Sequence, residues 1–254
     1  MRAVGIIPAR WGSTRFPGKP LHLIAGKPLL QHVWERCRHA RALDSVIIAT
    51  DDMRIAEAAF SWGAEVSLTS TQHASGTDRI AEVAAKLRGA SHIINIQGDE
   101  PLIEASLINR LVRRMQRDSK IEMITAVHPF DNPADAQSPH QVKAVLDRNG
   151  HILYFSRALI PYPRHAGAGL QYFRHQGIYG FRRDLLLRFV RWRPTPLEKA
   201  EALEQLRALE NCVNIHVLVT NTGSPGVDTP EDAAAIESKL LEAAGQSRHP
   251  SPSR

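Results

Sequence analysis

From Ala3 to Val127 the chain alternates short β-branched runs with stretches whose apolar residues recur at helical spacing, and that alternation leaves few folds open. Ala3 to Ile7 reads as a buried strand stopped by Pro8, and Leu29, Leu30, Val33, Trp34 and Cys37 then share one helical face. Val46-Ile47-Ile48-Ala49 is a second strand, followed by a helix marked by Ile55, Ala56, Ala59 and Phe60. The pattern repeats with Glu65 to Leu68, a helix over Ile80, Val83, Ala84 and Leu87, and a strand at Ile93-Ile94-Asn95-Ile96. A helix over Leu107, Ile108, Leu111, Val112 and Met115 precedes a strand from Met123 to Val127. Parallel neighbours need a crossover between them, usually a helix, so these repeats predict an α/β fold: a doubly wound, mostly parallel sheet with helices on both faces.

Beyond about residue 130 the pattern changes. Val142 to Leu146 and Ile152 to Phe155 flank Asp147-Arg148-Asn149-Gly150, whose Asn-Gly predicts a hairpin. Pro161-Tyr162-Pro163 and Ala166 to Gly169 read as a surface loop, and Ile178-Tyr179-Gly180-Phe181 as another strand. After Pro196 one long helix is expected, with Leu197, Ala200, Leu203 and Leu206 along a face. Ile215 to Val219 returns to strand, and Thr229-Pro230-Glu231-Asp232 opens a helix with proline at its first position. Gly245 to Arg254, rich in Ser and Pro, reads as a frayed tail.

Bulk composition removes several function classes. With 43% hydrophobic and 23% charged residues the chain is no disordered tail. No run approaches the ~20 apolar residues of a membrane span, and the apolar start is too short for a signal peptide. Cys37 and Cys212 make neither a disulfide framework nor a CxxC metal site, which points to a reducing, cytoplasmic compartment. The net charge of +6 and pI of 9.6 come from Lys and Arg that are spread out, with an Arg-rich excess around Arg182-Arg183, Arg191-Arg193 and the tail, rather than bunched as on a nucleic-acid surface. A solvated basic surface and a pocket that collects anionic substrates both remain open.

In an open parallel sheet, ligands bind beyond the carboxyl ends of the strands, and four polar clusters follow predicted strands. Pro8 to Pro20 carries Arg10, Arg15 and Lys19 with glycines at 12 and 18, either a phosphate cradle or a solvated turn. It is not a Walker A loop, because five residues separate Gly12 from Gly18 and Pro20 stands where Ser or Thr should be. Asn95-Ile96-Gln97-Gly98-Asp99-Glu100-Pro101 offers Asp99 as a ligand for a hard cation or as a turn carboxylate. Asp228, in Gly226 to Asp232, has the same two readings. Two carboxylates from distant strands suit Mg²⁺, which takes few protein ligands and keeps phosphate and water. His73 to Arg79 is a helix start or a polar lining for a nucleotide. The twelve histidines, taken singly, read as surface or satisfied residues.

In this order and spacing the clusters resemble the 3-deoxy-manno-octulosonate cytidylyltransferases, or CMP-Kdo synthetases. The matching stretches include IPARWGSTRFPGKPL at 7–21, ATDD at 49–52, SGTDR at 75–79 and NIQGDEP at 95–101. VKAVLD at 142–147, YFSRALIPYPR at 154–164, RHQGIYGFRR at 174–183, LEQLRALEN at 203–211 and GVDTPED at 226–232 extend the likeness to about residue 240.

The resemblance implies transfer of CMP from CTP to the anomeric hydroxyl of Kdo, with release of pyrophosphate, for lipopolysaccharide synthesis. It implies a nucleotidyltransferase domain over 1–244, with a sugar-binding and dimerisation insert at about 130–212, and a homodimer. Arg10, Arg15 and Lys19 would hold the triphosphate, Ser75 and Arg79 would lie along the nucleotide, and Asp99 and Asp228 would hold Mg²⁺. Gln97, Arg157, Arg164, His175, Tyr179, Glu204 and Gln205 would face the sugar acid, with Arg157 or His175 as the cation for its carboxylate. Alternatives are a cytidylyltransferase for 8-amino-Kdo or a sialic acid, or a nucleotide-binding regulator without turnover. One departure is visible: Cys212 stands where the family's pattern has a helix-ending Gly, which suggests a locally altered helix end.

Overall fold

The computed structural model of the chain describes residues 2–12, 16–165 and 169–248, so Arg15 and most of the loop expected at Ala166 to Gly169 lie outside the described residues. The first strand, β1 (Arg2–Ala9), sends Val4 and Ile6 to one face and Ala3 and Ile7 to the other. All four are fully buried, as in a strand covered on both sides. It does not stop at Pro8: Pro8 pairs with Ala49 and Ala9 with Thr50. On its other edge β1 is paired only as far as Ile6, so the proline sits beside an open edge, where sheets tolerate it.

A short hairpin of β2 (Leu23–Ile24) and β3 (Lys27–Pro28) leads into α1 (Leu29–Arg38). The expected alternation follows as β4 (Ser45–Thr50), α2 (Met53–Ser61), β5 (Glu65–Leu68), α3 (Gly76–Lys86), β6 (Ala90–Asn95), α4 (Ala105–Arg117) and β7 (Met123–Pro129). The apolar faces of α1, α2 and α4 cover one side of the sheet. Those of α3 and α5 (Arg183–Phe189) cover the other. Between β7 and α5 come β8 (Lys143–Leu146), β9 (Ile152–Ser156) and β10 (Phe173–Arg182). The β8–β9 pair is the expected hairpin, with Gly150 at φ 79° in its turn. After α5 follow α6 (Pro196–Glu201), α7 (Leu206–Glu210), β11 (Ile215–Val219) and α8 (Pro230–Arg248).

The strand order is β11-β7-β10-β6-β1-β4-β5, with β8 paired to β10 and β9 to β8. Every pairing along the main path is parallel except those of β10, which is antiparallel to both β6 and β7. The interval 130–212 therefore contributes a central strand to the main sheet, and the β8–β9 hairpin extends that sheet from the end of β10.

Three expectations are corrected near the C-terminus. The single helix after Pro196 is two short ones, because Ala202 turns the chain at φ 50°. That turn lets Leu203 and Leu206 reach the core and brings Arg207 back onto Glu198, while Leu197 stays exposed. The tail expected from Gly245 is helical to Arg248, since α8 carries on through the good helix formers Leu240 to Ala244. Cys212 does not alter the end of α7: it keeps φ 59°, Cys212 N–H donates to Leu209 O (2.9 Å) and Val213 N–H to Ala208 O (3.0 Å). That is the bond pattern of a glycine-ended helix carried by a residue with a Cβ. Cys212→Gly is accordingly expected to stabilise the fold by about 1 kcal/mol, read as a raised midpoint in urea with unchanged slope.

Candidate active site

The carboxyl ends of β1 and β6 and the first turn of α3 surround a cleft of about 310 Å³. Arg10, Lys19, Ser75, Arg79, Gln97, Asp99 and Asp228 line it, with Pro8, His73, Gly76 and Gly98. Gly98 is required by close approach: a Cβ there would stand 3.0 Å from Pro8 O, so only glycine lets the loop after β6 close onto β1. The basic loop is anchored from outside by Arg54, whose guanidinium lies 3.6 Å from the Trp11 ring centre and is itself held by Asp52. Gly18, at φ 70°, turns the loop so that Lys19 enters the cleft.

Lys19 occupies the junction of the two acidic segments. Its Nζ lies 2.7 Å from Asp99 Oδ2, 2.9 Å from Val227 O and 3.5 Å from Asp228 Oδ1. Val227 N–H donates to Asp99 O at 2.9 Å, so the backbone ties the segments carrying the two carboxylates. Two carboxylates and a carbonyl already sharing one cation make a donor set that suits a hard divalent ion. Among the described residues no three His, Cys, Asp or Glu converge into a fuller cage, which fits an ion completed by phosphate and water.

Ser75 caps α3 by accepting Asp78 N–H (3.1 Å), and its hydroxyl donates to Glu204 Oε1 at 2.8 Å. Thr77 Oγ1 donates to the other oxygen of Glu204 (2.5 Å), so residues far apart in sequence meet at the cleft wall. Burial pushes the Glu204 carboxyl above its ordinary range, although these hydroxyls and Arg207 oppose the shift. Arg79 is buried, with its guanidinium on Asp51 (3.0 Å) and Thr69 (2.6 Å), tying the chain just beyond β4 and β5 to α3. Gln97 Nε2 donates to Gly177 O at 3.2 Å and so joins the cleft to β10.

The residues assigned to the sugar divide. Tyr179 is buried with a hydroxyl that has no hydrogen-bond partner among the described residues, and burial together with Glu204 keeps it a neutral phenol. His175 lies between Phe155 and Tyr179, ring centres 5.0 and 5.2 Å away. Burial and Arg174 push its imidazole down to about 3. With no ligand beside it, His175 is thus neutral near pH 7, which speaks against its expected role as the cation for a carboxylate. Thr125 Oγ1 donates to Ile178 O (2.8 Å) and stands 3.1 Å from His175 Nε2. Gln205 is buried at the start of α7, and Arg164 is exposed beyond the hairpin. Arg157 is held by backbone: its guanidinium donates to Glu201 O (2.8 Å), Pro139 O (3.0 Å) and Ala202 O (3.4 Å). None of Arg157, Arg164, His175, Tyr179, Glu204 and Gln205 lines the cleft around Asp99.

Two buried groups escaped the sequence reading. Lys143 is fully buried and donates to Ser138 O (2.8 Å) and Arg157 O (2.6 Å), joining the loop before β8 to the end of β9. The signal for it was a lysine inside the apolar run Val142 to Leu146. Glu100 is pushed up to about 8 by burial and by its neighbour Asp99, so it is largely protonated at neutral pH. A Pro101 directly after it gave no hint of burial.

Residues 4–215 match the family model described as cytidylyltransferase. The chain is 47% identical over 244 residues to a 3-deoxy-manno-octulosonate cytidylyltransferase of Myxococcus xanthus, covering 96% of this chain and 98% of that protein. It is 49% identical over 239 residues to the protein of the same name from Syntrophobacter fumaroxidans, covering 93% and 96%. Among solved structures, a CMP:2-keto-3-deoxy-manno-octonic acid synthetase complexed with CTP superposes with a TM-score of 0.92 at 40% identity, covering 96% of this chain and all of that one. A cytidylyltransferase of Leptospira borgpetersenii, 20% identical with a TM-score of 0.65 over 95% of this chain and 87% of that one, shares the fold.

Proposed function

The chain belongs to the 3-deoxy-manno-octulosonate cytidylyltransferases, and from that premise we propose that it transfers CMP from CTP to the anomeric hydroxyl of Kdo, giving CMP-Kdo and pyrophosphate for lipopolysaccharide synthesis. The observation that carries this reading is the meeting of Arg10 and Lys19 with Asp99 and Asp228 in one cleft, beside a buried group of polar side chains built on Tyr179 and Glu204.

The sugar's anomeric oxygen forms a bond to the α-phosphorus while the bond from that phosphorus to the bridging oxygen breaks. Pyrophosphate departs in line and the hydroxyl proton is lost to water. Such a transfer leaves the protein mainly positioning and charge stabilisation to do. Arg10 and Lys19, with Arg15 in the same loop, neutralise the triphosphate and the charge that grows on pyrophosphate. Ser75 and Arg79 border the nucleotide. Asp99 and Asp228 would hold a divalent cation, Mg²⁺, which would supply Lewis-acid chemistry by lowering the pKa of the attacking hydroxyl and offsetting negative charge on the α-phosphate.

Gln97, His175, Tyr179, Glu204 and Gln205 orient the sugar through its hydroxyls. A neutral imidazole and a neutral phenol suit that task, which leaves the carboxylate to the arginines, Arg157 or Arg164. A homodimer built on this part of the chain follows from the family resemblance. Two free cysteines support a reducing, cytoplasmic setting, and no helix among the described residues is long and apolar enough to cross a membrane.

The test is kcat/KM for Kdo, 8-amino-Kdo and a sialic acid at saturating CTP and Mg²⁺. Kdo should be preferred over its amino analogue, because a buried hydrogen-bonding site rejects a ligand that leaves its groups unpaired. The bulkier sialic acid should be rejected more strongly still. A higher value for either rival would overturn the sugar assignment and leave the cytidylyl transfer standing.

A further inference from the structure

Lys19 stands where a metal would. Its ammonium takes oxygens from Asp99, Val227 and Asp228, the set that the reading above gives to the divalent ion, and its side chain is only 15% exposed. An ammonium is a compact charge with three donors on a flexible stem, so it can fill an oxygen cage much as an ion does. A hard divalent ion draws such oxygens in to roughly 2.0–2.1 Å, and the two cations cannot occupy one cage together. We propose that Lys19 is the resident cation of this site: it holds Asp99 and Asp228 together before substrate arrives, then yields the carboxylates to the ion and turns to the triphosphate that enters with it.

Three consequences follow from the exchange. Without nucleotide, an incoming ion has to displace the ammonium, and the displaced Lys19 has lost its acceptors, so metal binding is weak. With CTP present, the phosphates offer Lys19 new acceptors, and ion and nucleotide strengthen each other's binding by the same factor. The carboxylates never face each other without a cation between them, so the site stays assembled between turnovers.

The inference rests on Asp99 and Asp228 being the metal ligands, and the experiment separates the two ideas. Mn²⁺ binding to the full chain is measured by electron paramagnetic resonance, with and without CTP, for wild type, Lys19→Met, Arg10→Met and Asp99→Asn. Arg10→Met removes a charge from the same cleft that is not between the carboxylates, and so reports the plain effect of charge. Lys19→Met is expected to tighten nucleotide-free Mn²⁺ binding by about ten- to a hundredfold, the usual weight of a charge-assisted contact, and well beyond Arg10→Met. It should also shrink the enhancement of Mn²⁺ binding by CTP. In the absence of metal the Lys19→Met protein should melt below wild type, and Mn²⁺ should restore it. Equal changes in Lys19→Met and Arg10→Met, or none in either, would overturn the exchange while leaving the metal site intact, provided Asp99→Asn still loses Mn²⁺ in the presence of CTP. If Asp99→Asn binds Mn²⁺ as wild type does, the metal assignment itself falls and the exchange with it.

Discussion

Asp99→Asn is expected to lower turnover by at least about a hundredfold while the protein melts near the wild-type temperature. Asn keeps the shape of the side chain and one oxygen but loses the charge that a hard cation requires. The side chain is 31% exposed at the rim of the cleft, and its hydrogen bond to Lys19 is shared with Val227 O, so little stability hangs on the carboxylate. Pyrophosphate release and thermal melting on the same preparation check both halves. A folded Asp99→Asn protein with near-normal turnover would remove the residue from the chemistry.

The largest expected effect on stability lies elsewhere, at Arg207→Met. Arg207 and Glu198 form a buried, two-pronged ion pair at 2.8 and 2.5 Å, with side chains only 9% and 12% exposed, and the guanidinium also lies 4.9 Å from the Phe189 ring centre. Removing one partner strands the other as a buried charge, which costs about 3–5 kcal/mol and, for a chain of this size, lowers the melting temperature by roughly 10 °C. The double variant Glu198→Gln with Arg207→Met should recover part of that loss, because nothing is then left unpaired.

The same pair has a pH signature. Burial alone would raise the Glu198 carboxyl, but Arg207 and the Thr195 N–H more than offset it, and the net direction is downward. A group lowered in the folded state contributes stability above its unfolded value and loses it as pH falls through the folded one. The gap in melting temperature between wild type and Arg207→Met should therefore narrow in acid. A gap that stays constant into the acidic range would mean that packing on Phe189, not charge, is what Arg207 supplies.

How much of this could be read from the residues alone differs from element to element. The alternation from Ala3 to Val127 is carried by residues buried on both faces of the sheet, and periodicity reports such burial directly. Arg10, Lys19, Asp99 and Asp228 were legible as candidates because each follows a strand or opens a helix at the ligand-binding end of the sheet, whereas their roles in one site came from the family resemblance. What was not legible depended on partners distant in sequence. Ala202 is a good helix former, and Leu197 to Leu206 read as one amphipathic face; the turn is set by Glu198, Arg207 and the core position of Leu203. The neutrality of His175 comes from its burial and from Arg174, and periodicity says nothing about either. The polar start of β10, Phe173 to Gln176, hid half a strand that pairs with β7 and β8.

That antiparallel strand also sets a timetable. As the chain leaves the ribosome, β1, β4, β5 and β6 can assemble as soon as the residues up to Asn95 have emerged, since they pair with one another and only the far edge of β6 waits for β10. β7 cannot join them, because β10 must lie between it and β6, and β10 is made only after the β8–β9 hairpin. Through that interval β7 has two unpaired edges and a stretch from Met123 to Val127 that is apolar except for Thr125, a combination open to pairing with another nascent chain. For this protein, the hazardous moment of biosynthesis falls between the emergence of residues 129 and 173, before the strand that closes the sheet exists.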